Sequence, residues 1–392
     1  MELVIYGGSF NPPHLGHREA VITAMEALHP DRLLVLPDHD PPHKTLEEGS
    51  PSPEERLELC RLTFGELPGV EISDLEVRRT GKSYTYDTVR ELENTMPDAN
   101  LTLLLGTDML ITFEEWYQYE YLLSHCSLAV LAREDADDAA ILETAERFRR
   151  EYGAKVRVLT HAPLPMSSTE IREMLSRRTG AENLTQETYA RIIRKRLYGA
   201  LPELSWLREQ AYAMLDEKRI AHVAGCESEA IRLAVRWGED PDTAAEAGIL
   251  HDITKRFSFE EQLNLCQKYG IICDTGELAA PKLLHAKTGA AAAKDLFGVP
   301  DPVYQAIRWH TTGKPDMTLL EKIIYIADYM EPTRDFPGVE KLRELAYEDL
   351  DSAMLLGLKM SVEEIRQHGQ EPYVDTLDAF TWYEERMKER RD

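Results

Sequence analysis

Within these 392 residues, two sets of side chains have the types and spacing of phosphate chemistry. The apolar run Leu3–Tyr6 passes into Gly7-Gly8-Ser9-Phe10-Asn11-Pro12-Pro13-His14-Leu15-Gly16-His17, and a helical pattern follows. Paired glycines let backbone N–H groups come close to an anion, and a helix start adds its positive dipole end. His14 and His17 lie on that turn, where each ring can donate a hydrogen bond to a phosphate oxygen. Far along the chain, Ser167 and Glu170 fit a capping box, so Ser168 and Thr169 open a helix and Arg172 follows in its first turn. A glycine turn or a capping box alone is commonplace. The two together describe a pair of phosphate cradles.

The second set is His222, the adjacent His251-Asp252, His285, His310 and Asp328, each flanked by apolar helical sequence. Asp328 ends the run Ile323-Ile324-Tyr325-Ile326-Ala327, which would bury its carboxylate, and a buried carboxylate needs a partner or a metal. One histidine on such a helix is usually a satisfied core residue. Four histidines with two aspartates point instead to shared cations, and mixed imidazole–carboxylate ligation suits iron, manganese, cobalt or zinc.

The elements that must carry these groups differ between the two halves. Short apolar runs at Leu3–Tyr6, Leu33–Leu36, Val70–Ile72, Leu101–Leu105, Leu128–Leu131 and Val156–Leu159 alternate with amphipathic stretches. That alternation predicts a parallel sheet covered by helices on both faces, with ligands beyond the carboxyl ends of its strands. From about Glu203 nearly every segment reads as helix. The expected architecture is α/β plus all-α, with a boundary near Tyr198–Pro202 separating residues 1–200 from 201–392.

Composition narrows the partners. Lys plus Arg total 45 against 70 Asp plus Glu, and a formal charge of −25 disfavours nucleic acid and anionic membrane. No apolar run approaches the ~18–20 residues that span a bilayer. The first residues read as a β-strand, not a signal peptide, and five cysteines without a C-x-x-C pair suggest reduced thiols in the cytoplasm.

His14-Leu15-Gly16-His17 resembles the H-x-G-H signature of the nucleotidylyltransferase superfamily, and Ser167-Ser168-Thr169-Glu170-Ile171-Arg172 resembles its S-S-T-x-I-R motif. Asp40-Pro41-Pro42-His43-Lys44, Ser83-Tyr84-Thr85-Tyr86-Asp87-Thr88 and Gly106-Thr107-Asp108 followed by Trp116 narrow the resemblance to bacterial nicotinate-nucleotide adenylyltransferases, over about residues 1–198. The resemblance implies a Rossmann-like domain that transfers AMP from ATP to nicotinate mononucleotide, giving deamido-NAD and pyrophosphate. It implies catalysis by His14, His17 and Arg172, and nucleotide binding by Gly7, Gly8, Ser9, Phe10, Gly106, Asp108, Ser167, Ser168 and Thr169. Lys44, Thr85 and Trp116 would hold the mononucleotide, with Trp116 stacked on its pyridine ring, and Mg²⁺ would accompany ATP.

The second set resembles the H…HD…D framework of HD-domain metal-dependent phosphohydrolases, and His285 with His310 points to their bimetallic branch. His310-Thr311-Thr312-Gly313, Leu320–Asp328 and Glu331-Pro332-Thr333-Arg334-Asp335-Phe336-Pro337-Gly338 are similar to the symmetric diadenosine-tetraphosphate hydrolases. That similarity implies two metal ions, iron foremost, and cleavage into two ADP. Asp252, also a catalytic candidate, would bridge the ions. His222, His251 and Asp328 would complete one, His285 and His310 the other, with Lys255 and Arg334 on phosphate. The alternatives are an HD domain that hydrolyses other nucleotides or one that senses a nucleotide and regulates the transferase. The oligomeric state stays open.

Overall fold

A computed structural model describes residues 1–42, 44–132, 138–160 and 166–390, so His43 of the Pro-Pro-His-Lys motif lies outside the described residues. The chain divides into two compact units, Met1–Leu201 and Pro202–Asp392.

In the first unit the six expected strands form one parallel sheet: β1 (Glu2–Gly8), β2 (Arg32–Pro37), β3 (Val70–Ile72), β4 (Asn100–Gly106), β5 (Cys126–Ala132) and β6 (Lys155–Thr160). Their order is β3-β2-β1-β4-β5-β6. Alternate residues serve opposite faces. Leu3, Ile5, Leu101, Leu103 and Leu128 join one buried cluster, while Val4, Leu33, Val35, Leu104 and Ala129 join another. Burial on both faces explains why these strands read as nearly continuous apolar runs. The order reverses between β1 and β4, and that switch opens a crevice at the strands' carboxyl ends.

Among the described residues eight helices accompany the sheet: α1 (Leu15–Leu28), α2 (Pro53–Phe64), α3 (Thr85–Thr95), α4 (Thr107–Ile111), α5 (Tyr119–His125), α6 (Asp138–Tyr152), α7 (Ser168–Ser176) and α8 (Gln186–Lys195). Ser52 caps α2 by accepting from the Glu55 N–H with Pro53 at the first position, and α7 opens on the Ser167–Glu170 capping box. The short α4 and α5 carry too few residues to show a helical period.

The second unit is helical throughout the described residues: α9 (Leu204–Ala213), α10 (Glu217–Trp237), α11 (Pro241–Leu250), α12 (Phe259–Tyr269), α13 (Thr275–Ala279), α14 (Leu284–Phe297), α15 (Asp301–Trp309), α16 (Leu319–Met330), α17 (Val339–Glu348), α18 (Leu350–Gln367) and α19 (Val374–Glu389). Small residues bring α10 and α11 together. Ala230, Ala234, Ala244 and Ala247 are fully buried, and a Cβ on Gly248 would lie 2.9 Å from the Cα of Glu227. Among the described residues no helix is long and apolar enough to cross a membrane.

Candidate functional site

The crevice beyond β1 and β4 is a cavity of about 580 Å³. Gly7, Gly8, Ser9, Phe10 and His17 line one side; Gly106, Thr85, Trp116 and Lys44 line others. Ser167, Ser168, Thr169 and Arg172 close it from the start of α7. Two hydrogen bonds seat that helix against the opening turn: Ser168 Oγ donates to the Pro12 carbonyl at 2.9 Å, and Arg172 Nη1 donates to the Asn11 carbonyl at 2.7 Å. Arg172 also meets the carboxylate of the more exposed Glu47, which a phosphate would have to displace.

His14 stands behind His17, with ring centroids 3.7 Å apart. The His14 backbone N–H donates to His17 Nδ1 at 3.2 Å, leaving the proton of neutral His17 on Nε2. Burial pushes His14 down to about 4, and burial with His14 and Lys44 holds His17 well below the usual imidazole range. At pH 7 both rings are therefore neutral, and a triphosphate beside them would raise their proton affinity. Phe10 takes a left-handed conformation, φ 44°, a strained choice for a side chain with a Cβ. It is fixed between Tyr6, His17 and Phe64, at centroid distances of 5.4, 5.2 and 5.7 Å. Trp116 is half-buried and stacks on Phe113 at 4.8 Å. Asp108 is exposed on α4 and, like the buried His14, does not line the cavity.

Residues not singled out from the sequence hold the turn in place. Arg56 of α2 is fully buried and donates to the Ser9 carbonyl at 2.6 Å, Asp38 Oδ1 at 3.0 Å and the Asp38 carbonyl at 2.8 Å. Ser9 Oγ donates to the other Asp38 oxygen at 2.8 Å. Arg56→Ala would strand a buried carboxylate, a loss of about 3–5 kcal/mol. Urea unfolding of the full chain, followed in the transition that ATP shifts, should show that loss; an unchanged midpoint would remove the knot's structural role. Glu76 also lines the cavity: it is buried, accepts from Thr88 Oγ1 at 2.7 Å, and burial pushes it up to about 7. Nothing in its local sequence marks it.

In the second unit the four histidines and two aspartates converge. His222 lies within α10, His251-Asp252 at the end of α11, His285 in the first turn of α14, His310 at the end of α15, and Asp328 near the end of α16. Every histidine has its Nδ1 engaged. His251 Nδ1 reaches the Gly248 carbonyl at 2.7 Å, His310 Nδ1 the Ile307 carbonyl at 2.6 Å, His285 Nδ1 the Lys282 carbonyl, and His222 Nδ1 the Glu331 carboxylate at 3.0 Å. Nδ1 must carry the proton in each case, so four Nε2 lone pairs face inward.

Those lone pairs meet carboxylates. His222 Nε2 lies 3.0 Å from Asp328 Oδ1 and 3.3 Å from His251 Nε2. Asp252 faces both sides: Oδ2 is 3.4 Å from His251 and 3.7 Å from His222, while Oδ1 is 3.2 Å from His285 and 3.6 Å from His310. Asp252 Oδ1 is buried yet makes no hydrogen bond of good geometry. Donor atoms of His222, His251 and Asp328 all lie within 4.8 Å of one another, as do those of His251, Asp252 and His310. Burial alone would raise the Asp252 carboxyl, yet His251 holds it well below its usual range. Burial disfavours a proton on His251, but Cys226 and Asp252 lift it well above the usual imidazole range. The carboxylates thus demand positive charge at this point, and inward lone pairs beside an orphaned carboxylate oxygen fit a divalent ion.

Three cations border the cluster. Lys255 Nζ is 3.0 Å from His285 Nε2, and Arg334 Nη2 donates to Asp328 Oδ1 at 2.8 Å. Arg219, not chosen from the sequence, donates through Nε to Asp252 Oδ2 at 2.6 Å. Its position one turn before His222 on α10 was the available signal.

Residues 5–174 match the cytidylyltransferase-like family and residues 219–333 the HD domain, whose presence implies divalent metal binding. A Bacillus subtilis protein named symmetrical bis(5'-nucleosyl)-tetraphosphatase is 38% identical over 180 residues, covering 45% of this chain and 96% of the relative. A Geobacter metallireducens protein named "probable nicotinate-nucleotide adenylyltransferase" is 33% identical over 213 residues, covering 50% of this chain and 98% of the relative. A Mycoplasma pneumoniae protein named "probable nicotinate-nucleotide adenylyltransferase/Ap4A hydrolase" is 26% identical over 363 residues, covering 91% of this chain and 98% of the relative.

Proposed function

Because the chain belongs both to the nicotinate-nucleotide adenylyltransferases and to the symmetrical bis(5'-nucleosyl)-tetraphosphatases, we propose that it joins the two activities in one polypeptide. Residues 1–200 transfer AMP from ATP to nicotinate mononucleotide, and residues 201–392 hydrolyse diadenosine tetraphosphate to two ADP. A reducing cytoplasm suits this work and its free cysteines.

The observation that supports the first activity is the clasp of the opening turn against the start of α7, Ser168 Oγ to the Pro12 carbonyl at 2.9 Å. A phosphate oxygen of the mononucleotide bonds to the α-phosphorus of ATP while the bond from that phosphorus to the bridging oxygen breaks, releasing pyrophosphate. No covalent enzyme intermediate is needed, so positioning and charge neutralisation supply the rate. Backbone N–H groups of Gly7, Gly8, Ser9 and Phe10 and the opening of α7 hold the triphosphate, with Gly106 beside the nucleotide. His17 Nε2–H, backed by His14, and Arg172 stabilise charge on the α-phosphate and leaving group. Lys44, Thr85 and Trp116 hold the nicotinate mononucleotide. Asp38 is occupied by Arg56 and Ser9, so Mg²⁺ arrives with ATP and not in a carboxylate cage.

The observation that supports the second activity is the inward set of four Nε2 lone pairs around Asp252. His222, His251 and Asp328 would hold one ion and His285 with His310 the other, Asp252 serving both, with iron as the favoured metal. Bound there, two divalent ions would acidify water and neutralise charge on the central phosphates. Arg219, Lys255 and Arg334 bind the remaining phosphate oxygens. Water's oxygen ends on one of the two central phosphorus atoms, the bridge between them breaks, and each half leaves as ADP.

Product chromatography tests both assignments on the full chain. Diadenosine tetraphosphate with metal-loaded protein should yield ADP alone; equimolar ATP and AMP would overturn symmetric cleavage. ATP with nicotinate mononucleotide should yield deamido-NAD and pyrophosphate, and failure to consume that mononucleotide would overturn the transferase reading.

A further inference from the structure

The four clustered histidines of the helical unit are not anchored alike. His251, His285 and His310 each turn Nδ1 to the carbonyl three residues earlier. His251 and His310 follow the last turns of α11 and α15, where carbonyls lack helical partners, and the Lys282 carbonyl that serves His285 precedes α14. His222 lies inside the 21-residue α10, where the preceding carbonyls serve the helix itself. Its acceptor is a side chain, Glu331, which follows α16 and is wholly buried.

We propose that Glu331 is the positioning residue for one half of the metal cluster, and that Gly225 lacks a side chain so that Glu331 can reach His222. The inference rests on the two-ion reading above. Glu331 Oε1 accepts from His222 Nδ1 at 3.0 Å; the Thr333 backbone N–H donates to Oε2 at 2.7 Å, and Thr333 Oγ1 donates to Oε1. The carboxylate is thereby fixed from its own turn and presents one oxygen to the imidazole. Gly225 lies one helical turn beyond His222 on α10, and a Cβ there would stand 2.5 Å from Glu331 Oε2 and 3.2 Å from Pro332 Cδ. A negatively charged acceptor also makes Nε2 a more basic ligand than a carbonyl would. Because Glu331 and Asp328 belong to one turn at the end of α16, the contact sets α10 and α16 at a fixed distance across His222 and Asp328.

The test is metal stoichiometry and affinity of the full chain, by elemental analysis and by chelator-competed titration with Co²⁺. Glu331→Ala and Gly225→Ala should each keep one ion and weaken the other about 10- to 100-fold, matching His222→Ala in which ion is lost. Glu331→Gln should hold both ions more tightly than Glu331→Ala, since its amide oxygen can still accept from Nδ1. The retained ion shows that each variant is folded. Two ions at wild-type affinity in both Glu331→Ala and Gly225→Ala would overturn the inference. So would equal loss of both ions from Glu331→Ala when His222→Ala loses one, since that marks general collapse. Wild-type protein that binds fewer than two ions overturns the two-ion reading, and the inference with it, before any variant is compared.

Discussion

His17→Ala is expected to lower kcat for adenylyl transfer about 100- to 1,000-fold, the usual effect of deleting one donor aimed at developing charge. The ring lines the cavity, and its Nδ1 is already engaged by the His14 backbone N–H, so Nε2–H is the group left for the triphosphate. Loss of that helix-start acceptor costs a further ~0.5–2 kcal/mol of stability, too little to unfold the unit. Steady-state kinetics with varied ATP, beside circular dichroism, separates the two effects. A folded variant with wild-type kcat would remove His17 from the chemistry.

In the helical unit, Asp252→Ala should empty the cluster, His251→Ala should lose the ion shared with His222 and Asp328, and each should abolish ADP formation. Asp252 is the more damaging, because its oxygens face the His222–His251 side and the His285–His310 side separately. Affinity should fall by more than the ~100-fold limit typical of outer-shell changes. Asp252→Ala also deprives Arg219 of its carboxylate, adding an unpaired cation beside the site. Elemental analysis with an ADP assay decides the matter; full metal content in both variants would overturn the ligand assignment.

The sheet was legible because buried parallel strands are written as short apolar runs between helices, and all six runs became strands, Val70–Ile72 unchanged and the other five with ends extended by a residue or two. The histidines and aspartates were legible by type, since six such groups in apolar helices have few satisfied alternatives. What escaped was pairing over distance. Arg56 reads as one polar position in an amphipathic helix, and only the folded turn shows it bonded to Ser9 and Asp38. Glu331 reads as a turn residue until His222 is seen 109 positions away in sequence and 3.0 Å away in space. Asp108 is a different case: the Gly-Thr-Asp motif put it beside the nucleotide, and it is exposed on the unanticipated α4, between Gly106 and Met109, which line the cavity as it does not.

The clasp between Ser168 and Pro12 joins groups 156 residues apart. On a ribosome adding about 5–20 residues per second, the glycine turn therefore waits roughly 8–30 s for its counterpart to be translated. A chain truncated before α7 would keep only the glycine-turn side of the proposed phosphate site and is expected to show no adenylyl transfer.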